Sequence, residues 1–175
     1  MCIRDSVTPS DESRGYPLII GEHGTGKTSL IQLAIDSIKE HKVKESEGID
    51  SQKTPIGIAY IDTPNNLQSP TNFAQALQKA LGWKPDPVID SKESIESPSF
   101  EEIWSAFFRA AIKYRNKHNK IPVLIINNAN RLAEMQPDLL DLIQNDAKRA
   151  ADDGTATIVF VSSEGRVPRR MIGIL

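Results

Sequence analysis

The chain holds a single cysteine, Cys2, so no disulfide can close within it. Its three histidines, His23, His41 and His118, are scattered without the spacing of metal ligands, and a structural zinc site is not expected. Nowhere do eighteen apolar residues run together, and no basic, apolar and small-residue series opens the sequence, so neither a membrane span nor a secretory signal is expected. Charge of one sign is also lacking: 21 Lys and Arg stand against 23 Asp and Glu, a net of -2, which gives the whole chain no electrostatic reason to seek nucleic acid. These absences point to an intracellular, cytoplasmic protein. What is present, 39% hydrophobic and 25% charged residues in 175, suits one globular domain with a core of its own.

The opening Met1-Cys2-Ile3-Arg4-Asp5-Ser6 looks like a translated sequencing adaptor, so residues 1–15 are set aside as a tail and residues 1–6 as adaptor-derived. On that reading the natural chain began earlier and was cut, and the abrupt end at Ile174-Leu175 raises the same expectation at the other side. A genuine disordered tail is the alternative.

Beyond residue 15 short apolar runs alternate with helix-period segments. Tyr16 to Ile20 is an apolar run stopped by Gly21, and from Lys27 to about Glu40 the residues Leu30, Ile31, Ala34, Ile35 and Ile38 fall on one helical face. Ile56 to Ile61 predicts a second strand, and a helix capped by Thr71 carries Phe73, Ala76, Leu77, Ala80 and Leu81 to a stop at Gly82. Residues 83–99, rich in proline, serine and acids, predict a disordered surface insertion. Phe100, Ile103, Trp104, Phe107, Phe108, Ala111 and Ile112 then mark a helix to about His118. Val123 to Ile126 is apolar on both faces, as a strand of a parallel sheet covered by helices must be. A helix from about Gln136 to Asp152 and a strand from Thr157 to Val161 follow. The alternation predicts an α/β fold, a three-layer α/β/α sandwich on a parallel sheet, with residues 16–175 forming its core.

The strongest chemical signal is Gly21-Glu22-His23-Gly24-Thr25-Gly26-Lys27-Thr28, followed by Ser29. It matches the pattern G-x-x-x-x-G-K-[ST] and sits between an apolar strand and an amphipathic helix, as a phosphate-binding loop requires. Small residues let the backbone wrap a phosphate so that the amides of Gly24, Thr25, Gly26 and Lys27 point inward at a helix N-terminus. Lys27 is expected to compensate the β- and γ-phosphates, and the Thr28 hydroxyl to ligate Mg²⁺. An ordinary glycine-rich turn is the bland alternative.

The third strand ends in Asn127-Asn128, two amides where holding a metal ion through water and polarising an attacking water would both favour carboxylates. Asn127 can still hydrogen-bond metal-bound water, whereas Asn128 cannot accept a proton from an attacking one. Either the pair keeps a place in the site or it simply ends a strand and starts a turn. Asp62 and Glu134 are possible substitute acids, or else solvated or capping carboxylates. Ser162 and Ser163 end the fourth strand, where a hydroxyl either senses the γ-phosphate or forms a turn. Arg166, Arg169 and Arg170 follow, as phosphate-binding arginine fingers or as a solvated basic tail. Tyr16 and Pro17 stand where they could touch the base.

The loop Gly21 to Thr28, the strand Val123 to Ile126 with its polar end and the strand Thr157 to Val161 with its serines together resemble the AAA+ and STAND branches of P-loop ATPases. Among these the chain looks most like the ATPase domains of large fungal multidomain proteins, the Crinkler-type group included, in segments such as Ile61-Asp62-Thr63-Pro64 and Val161-Ser162-Ser163-Glu164-Gly165. The resemblance implies a sheet ordered 5-1-4-3-2, a fifth strand and helical lid beyond residue 175, ATP and Mg²⁺ as cofactors, and a protein partner or self-association in the full-length parent. It implies an ATP-driven switch or remodelling module, a P-loop ATPase whose hydrolysis the asparagines impair. A binding-only nucleotide module is the alternative. A P-loop kinase fits less well, because a strand lies between the loop's helix and the strand ending in Asn127.

Overall fold

In the computed structural model, the described residues are 3–12, 15–45, 56–84, 98–163, 167 and 171. In chain order they form α1 (Ile3–Val7), β1 (Leu18–Ile20), α2 (Lys27–Glu45), β2 (Ile58–Asp62), α3 (Pro70–Leu81), α4 (Phe100–His118), β3 (Val123–Asn127), α5 (Asn130–Met135), α6 (Pro137–Asp152) and β4 (Thr157–Ser162). The four strands make one parallel sheet in the order β1-β4-β3-β2. That is the 1-4-3-2 part of the expected order, in an α/β fold with helices on both faces.

β3 and β4 are central and buried along their whole length, which is why both read as unbroken apolar runs. Alternation across the pleat then divides the core in two. Val123, Ile125, Val159 and Val161 meet Ile31, Ile35 and Ile38 of α2 on one face. Leu124, Ile126, Ile158 and Phe160 meet α3, α4 and α6 on the other, through Phe73, Leu77, Ile103, Phe107, Leu140 and Ile143. Each such aliphatic side chain contributes about 1.5–3 kcal/mol by leaving water. The second face also carries a ladder of rings, Phe73 to Phe100 to Trp104 to Phe107. The Trp104 indole N–H donates to Asp146 Oδ2 at 2.7 Å, tying α4 to α6.

Four local readings change. α2 runs on to Glu45, past the expected end near Glu40. β2 starts at Ile58 rather than Ile56, because Gly57 takes φ +75 and a side chain there would lie 2.3 Å from the Tyr114 ring. α3 is capped by Ser69, not Thr71: Pro70 takes the first helical position, and Asn72 Oδ1 accepts from the Ser69 N–H and hydroxyl, both at 3.2 Å. Gly82 does close α3, in the left-handed region at φ 60. A short helix not expected from the sequence, α5, separates β3 from α6; Gln136 breaks the two apart just before Pro137.

Within the segment set aside as a tail, Ile3–Val7 forms α1, which packs on α2 with Val7 fully buried, and Ser10 bridges to Ile121. Of the expected insertion 83–99, residues 85–97 lie outside the described residues, as do Arg166, Arg169 and Arg170. Among the described residues no helix is long and apolar enough to cross a membrane.

Candidate functional site

All four strands run in one direction, so their C-terminal ends gather at one edge of the sheet. There the turn 21–26 leads from β1 into α2. Gly24 and Gly26 take φ +80 and +82, a region that side-chain-bearing residues rarely adopt, and this is what the two glycines contribute to the loop's curl. The first amides of α2 have no partner within the helix and stand at its positive end. The first helical bond closes from the Leu30 N–H to the Gly26 carbonyl at 2.9 Å.

Lys27 reaches back across the loop. Its ammonium donates to the Gly21 and Glu22 carbonyls, each at 2.7 Å, and to Thr25 Oγ1 at 3.3 Å, so its three N–H donors all have acceptors. Thr25 is turned onto Glu22 as well, its hydroxyl at 2.8 Å and its N–H at 3.4 Å from the Glu22 carbonyl. The expected inward direction of the Thr25 amide is therefore not what this arrangement has.

A hollow of about 280 Å³ opens beside the loop. It is walled by the run His23 to Ser29, by Asn127 and Asn128, and by Val161, Ser162 and Ser163. The structure thus brings together most of the residues singled out from the sequence. Gly21 and Glu22 stand outside the walls and serve through the carbonyls that hold Lys27. Ser162 is buried, and the Ser163 hydroxyl donates to Asn130 Oδ1 at 3.4 Å. Tyr16 packs against the core and Pro17 accepts the Phe160 N–H; neither lines the hollow. Glu134 lies exposed on α5, away from the hollow's walls.

The strand ends carry a hydrogen-bonded group that the sequence hinted at only in part. Thr28 Oγ1 donates to Asn127 Oδ1 at 3.4 Å, and Asn127, 2% exposed, donates through Nδ2 to Asp62 Oδ1 at 3.2 Å. Asn128 donates to the same oxygen at 2.6 Å. Register explains the meeting, since Asp62 of β2 pairs directly with Asn127 of β3. Arg131 lies 3.8 Å from Asp62 Oδ1 and also donates to the Thr63 carbonyl. Asn128 has φ 56, a left-handed conformation that asparagine tolerates better than most residues.

Tyr60, two residues before Asp62, completes the group. Burial raises its phenol above the usual value; hydrogen bonding to Gln32 draws it back, the Asp62 charge raises it, and hydrogen bonding to Asn127 lowers it. Its hydroxyl stays protonated at neutral pH. Sequence reading missed Tyr60, Gln32 and Arg131. Tyr60 comes to the site through the pairing of β2 with β3, and Gln32 and Arg131 reach it from α2 and α5, contacts that no single stretch of sequence displays.

The site therefore offers helix-end amides, a lysine, and two hard oxygen donors, Thr28 Oγ1 and Asn127 Oδ1, side by side. That donor set suits a phosphate chain with a small divalent cation. No curated protein matches the chain's sequence. A family model described as AAA domain matches residues 10–167, a span that holds the loop, the sheet and the strand ends. The chain belongs to the AAA domain family, a family of nucleotide-binding P-loop proteins.

Proposed function

We propose that this chain is the ATP-binding domain of a P-loop ATPase, a nucleotide-dependent switch or remodelling module of the AAA+ or STAND kind, with slowed hydrolysis. The observation that carries the reading is the hollow itself, in which the Gly24 to Ser29 turn, Lys27 and the ends of β3 and β4 share one wall system.

In this reading the β- and γ-phosphates lie along the loop. Lys27 exchanges its bonds to the Gly21 and Glu22 carbonyls for phosphate oxygens. Thr28 and Asn127 would hold Mg²⁺, Thr28 directly and Asn127 through bound water, and the ion when present supplies charge neutralisation across the phosphates. Hydrolysis forms a bond from water to the γ-phosphorus as the bond to ADP breaks, and the water must lose a proton. Asn128 can orient that water but cannot take the proton, which lowers the rate by about 10²- to 10⁴-fold relative to a carboxylate. Ser162 or Ser163 senses the γ-phosphate from the end of β4. A protein partner, or self-association of the full-length parent, would read the nucleotide state.

One observation favours the second reading, a module that binds ATP without turnover. Both strand-end amides donate through Nδ2 to Asp62, so those groups are held away from an attacking water, and neither amide can take its proton. Steady-state ATP hydrolysis by the native chain, by Lys27→Ala and by Asn127→Asp/Asn128→Glu separates the two. Native turnover that disappears in Lys27→Ala supports the ATPase. Turnover confined to the double variant supports binding alone, and no turnover with no ATP binding in any of them refutes both.

A further inference from the structure

A side-chain amide is ambiguous toward a cation, because one end accepts and the other donates, and the two ends have nearly the same shape. Asn127 stands where a metal-facing acceptor is needed, so its usefulness depends on which end faces Thr28. Asp62 decides this. Its Oδ1 accepts from Asn127 Nδ2 at 3.2 Å, which leaves Asn127 Oδ1 toward the Thr28 hydroxyl, 3.4 Å away. Rotating the amide would set an N–H₂ against Thr28 and an oxygen against the Asp62 carboxylate, losing one bond and adding a repulsion. The same Asp62 oxygen accepts from Asn128 Nδ2 at 2.6 Å and lies 3.8 Å from the Arg131 guanidinium, whose charge steadies the carboxylate.

We propose that Asp62 is a positioning residue for the cation site: a carboxylate on β2 orients the neutral amide of Asn127 so that it presents oxygen, and so retains Mg²⁺-assisted nucleotide binding in a chain whose β3 ends without an acid. The inference rests on the nucleotide-binding reading above. It goes beyond that reading by giving a role to a residue outside the walls of the hollow and by explaining how an asparagine can stand in for an acid there.

The test is the ratio of ATP affinities with Mg²⁺ and with EDTA, measured by calorimetry on the native chain, Asp62→Ala, Asp62→Asn, Asn127→Asp and Asp62→Ala/Asn127→Asp. Orientation by Asp62 predicts that Asp62→Ala lowers the Mg²⁺-to-EDTA ratio by about 10-fold, as loss of an outer partner of a metal ligand does, while the EDTA affinity holds. Asp62→Asn keeps one acceptor oxygen and retains most of the ratio. The double variant restores it, because a carboxylate has no wrong end. Asn127→Asp alone falls below the double variant, since two carboxylates at that spacing repel. Asp62 is 59% exposed at its side chain, so truncation leaves the core intact. An unchanged ratio in Asp62→Ala, or a double variant that restores nothing, overturns the proposal while ATP binding stands. A native chain that binds ATP in neither condition overturns the nucleotide reading and this inference with it.

Discussion

Substituting Asn128 by glutamate, which can take a proton where the amide cannot, is predicted to destabilise the fold. Two features of the structure set the magnitude. Asn128 sits at φ 56, and moving a longer side chain into the left-handed region costs about 1 kcal/mol more than asparagine does there. Its Nδ2 also donates to Asp62 Oδ1 at 2.6 Å, a charge-assisted bond that glutamate converts into a contact between carboxylates. Such bonds contribute about 1.5–3 kcal/mol, reduced here because Asp62 is more than half exposed and solvent screens it. The sum is about 2–3 kcal/mol, or a fall of roughly 5–10 °C in Tm for a chain of this size. Thermal unfolding without nucleotide measures it. Asp62→Asn should recover about half the loss by removing the repulsion. An Asn128→Glu chain as stable as the native one would refute the claim that backbone conformation and Asp62 together select the amide.

Gly57→Ala is predicted to cost at least about 2 kcal/mol, combining a strained positive φ with a clash against the Tyr114 ring; Tyr114→Ala should relieve the clash but not the strain, which chemical denaturation of the single and double variants resolves. Tyr60 and Tyr114 are both raised above the ordinary phenol value, chiefly by burial. Their neutral forms favour the folded state, so that stability is complete below about pH 10 and declines as pH rises through the folded-state values. Denaturation midpoints taken across the alkaline range should show the decline, and it should be shallower in Tyr60→Phe.

The parts of this molecule legible in its sequence were those written in one continuous stretch. β3 and β4 are buried on both faces, so their apolar runs announced a covered parallel sheet. The loop from Gly21 to Thr28 declared itself because glycine, lysine and hydroxyl stand within eight residues at the spacing of a phosphate-binding loop. Boundaries were harder where a long-range contact decides them: β2 begins after Gly57 because Tyr114, more than fifty residues away, occupies the space a side chain would need. Helix α5 was hidden because six residues are too few to display a helical period. The Asp62, Asn127 and Tyr60 group was legible only as separate polar strand ends. Strand register joins them, and register arises from the packing of the whole sheet.

The central claim is that the Gly21 to Thr28 turn seats the phosphates of ATP with the help of Lys27. Calorimetric titration of the native chain and of Lys27→Ala with ATP and Mg²⁺ tests it most directly. One equivalent of ATP should bind the native chain, and loss of a charged hydrogen-bonding partner should weaken binding by about 10- to 100-fold in the variant. Equal affinities in the two chains, or no binding by the native one, would contradict it.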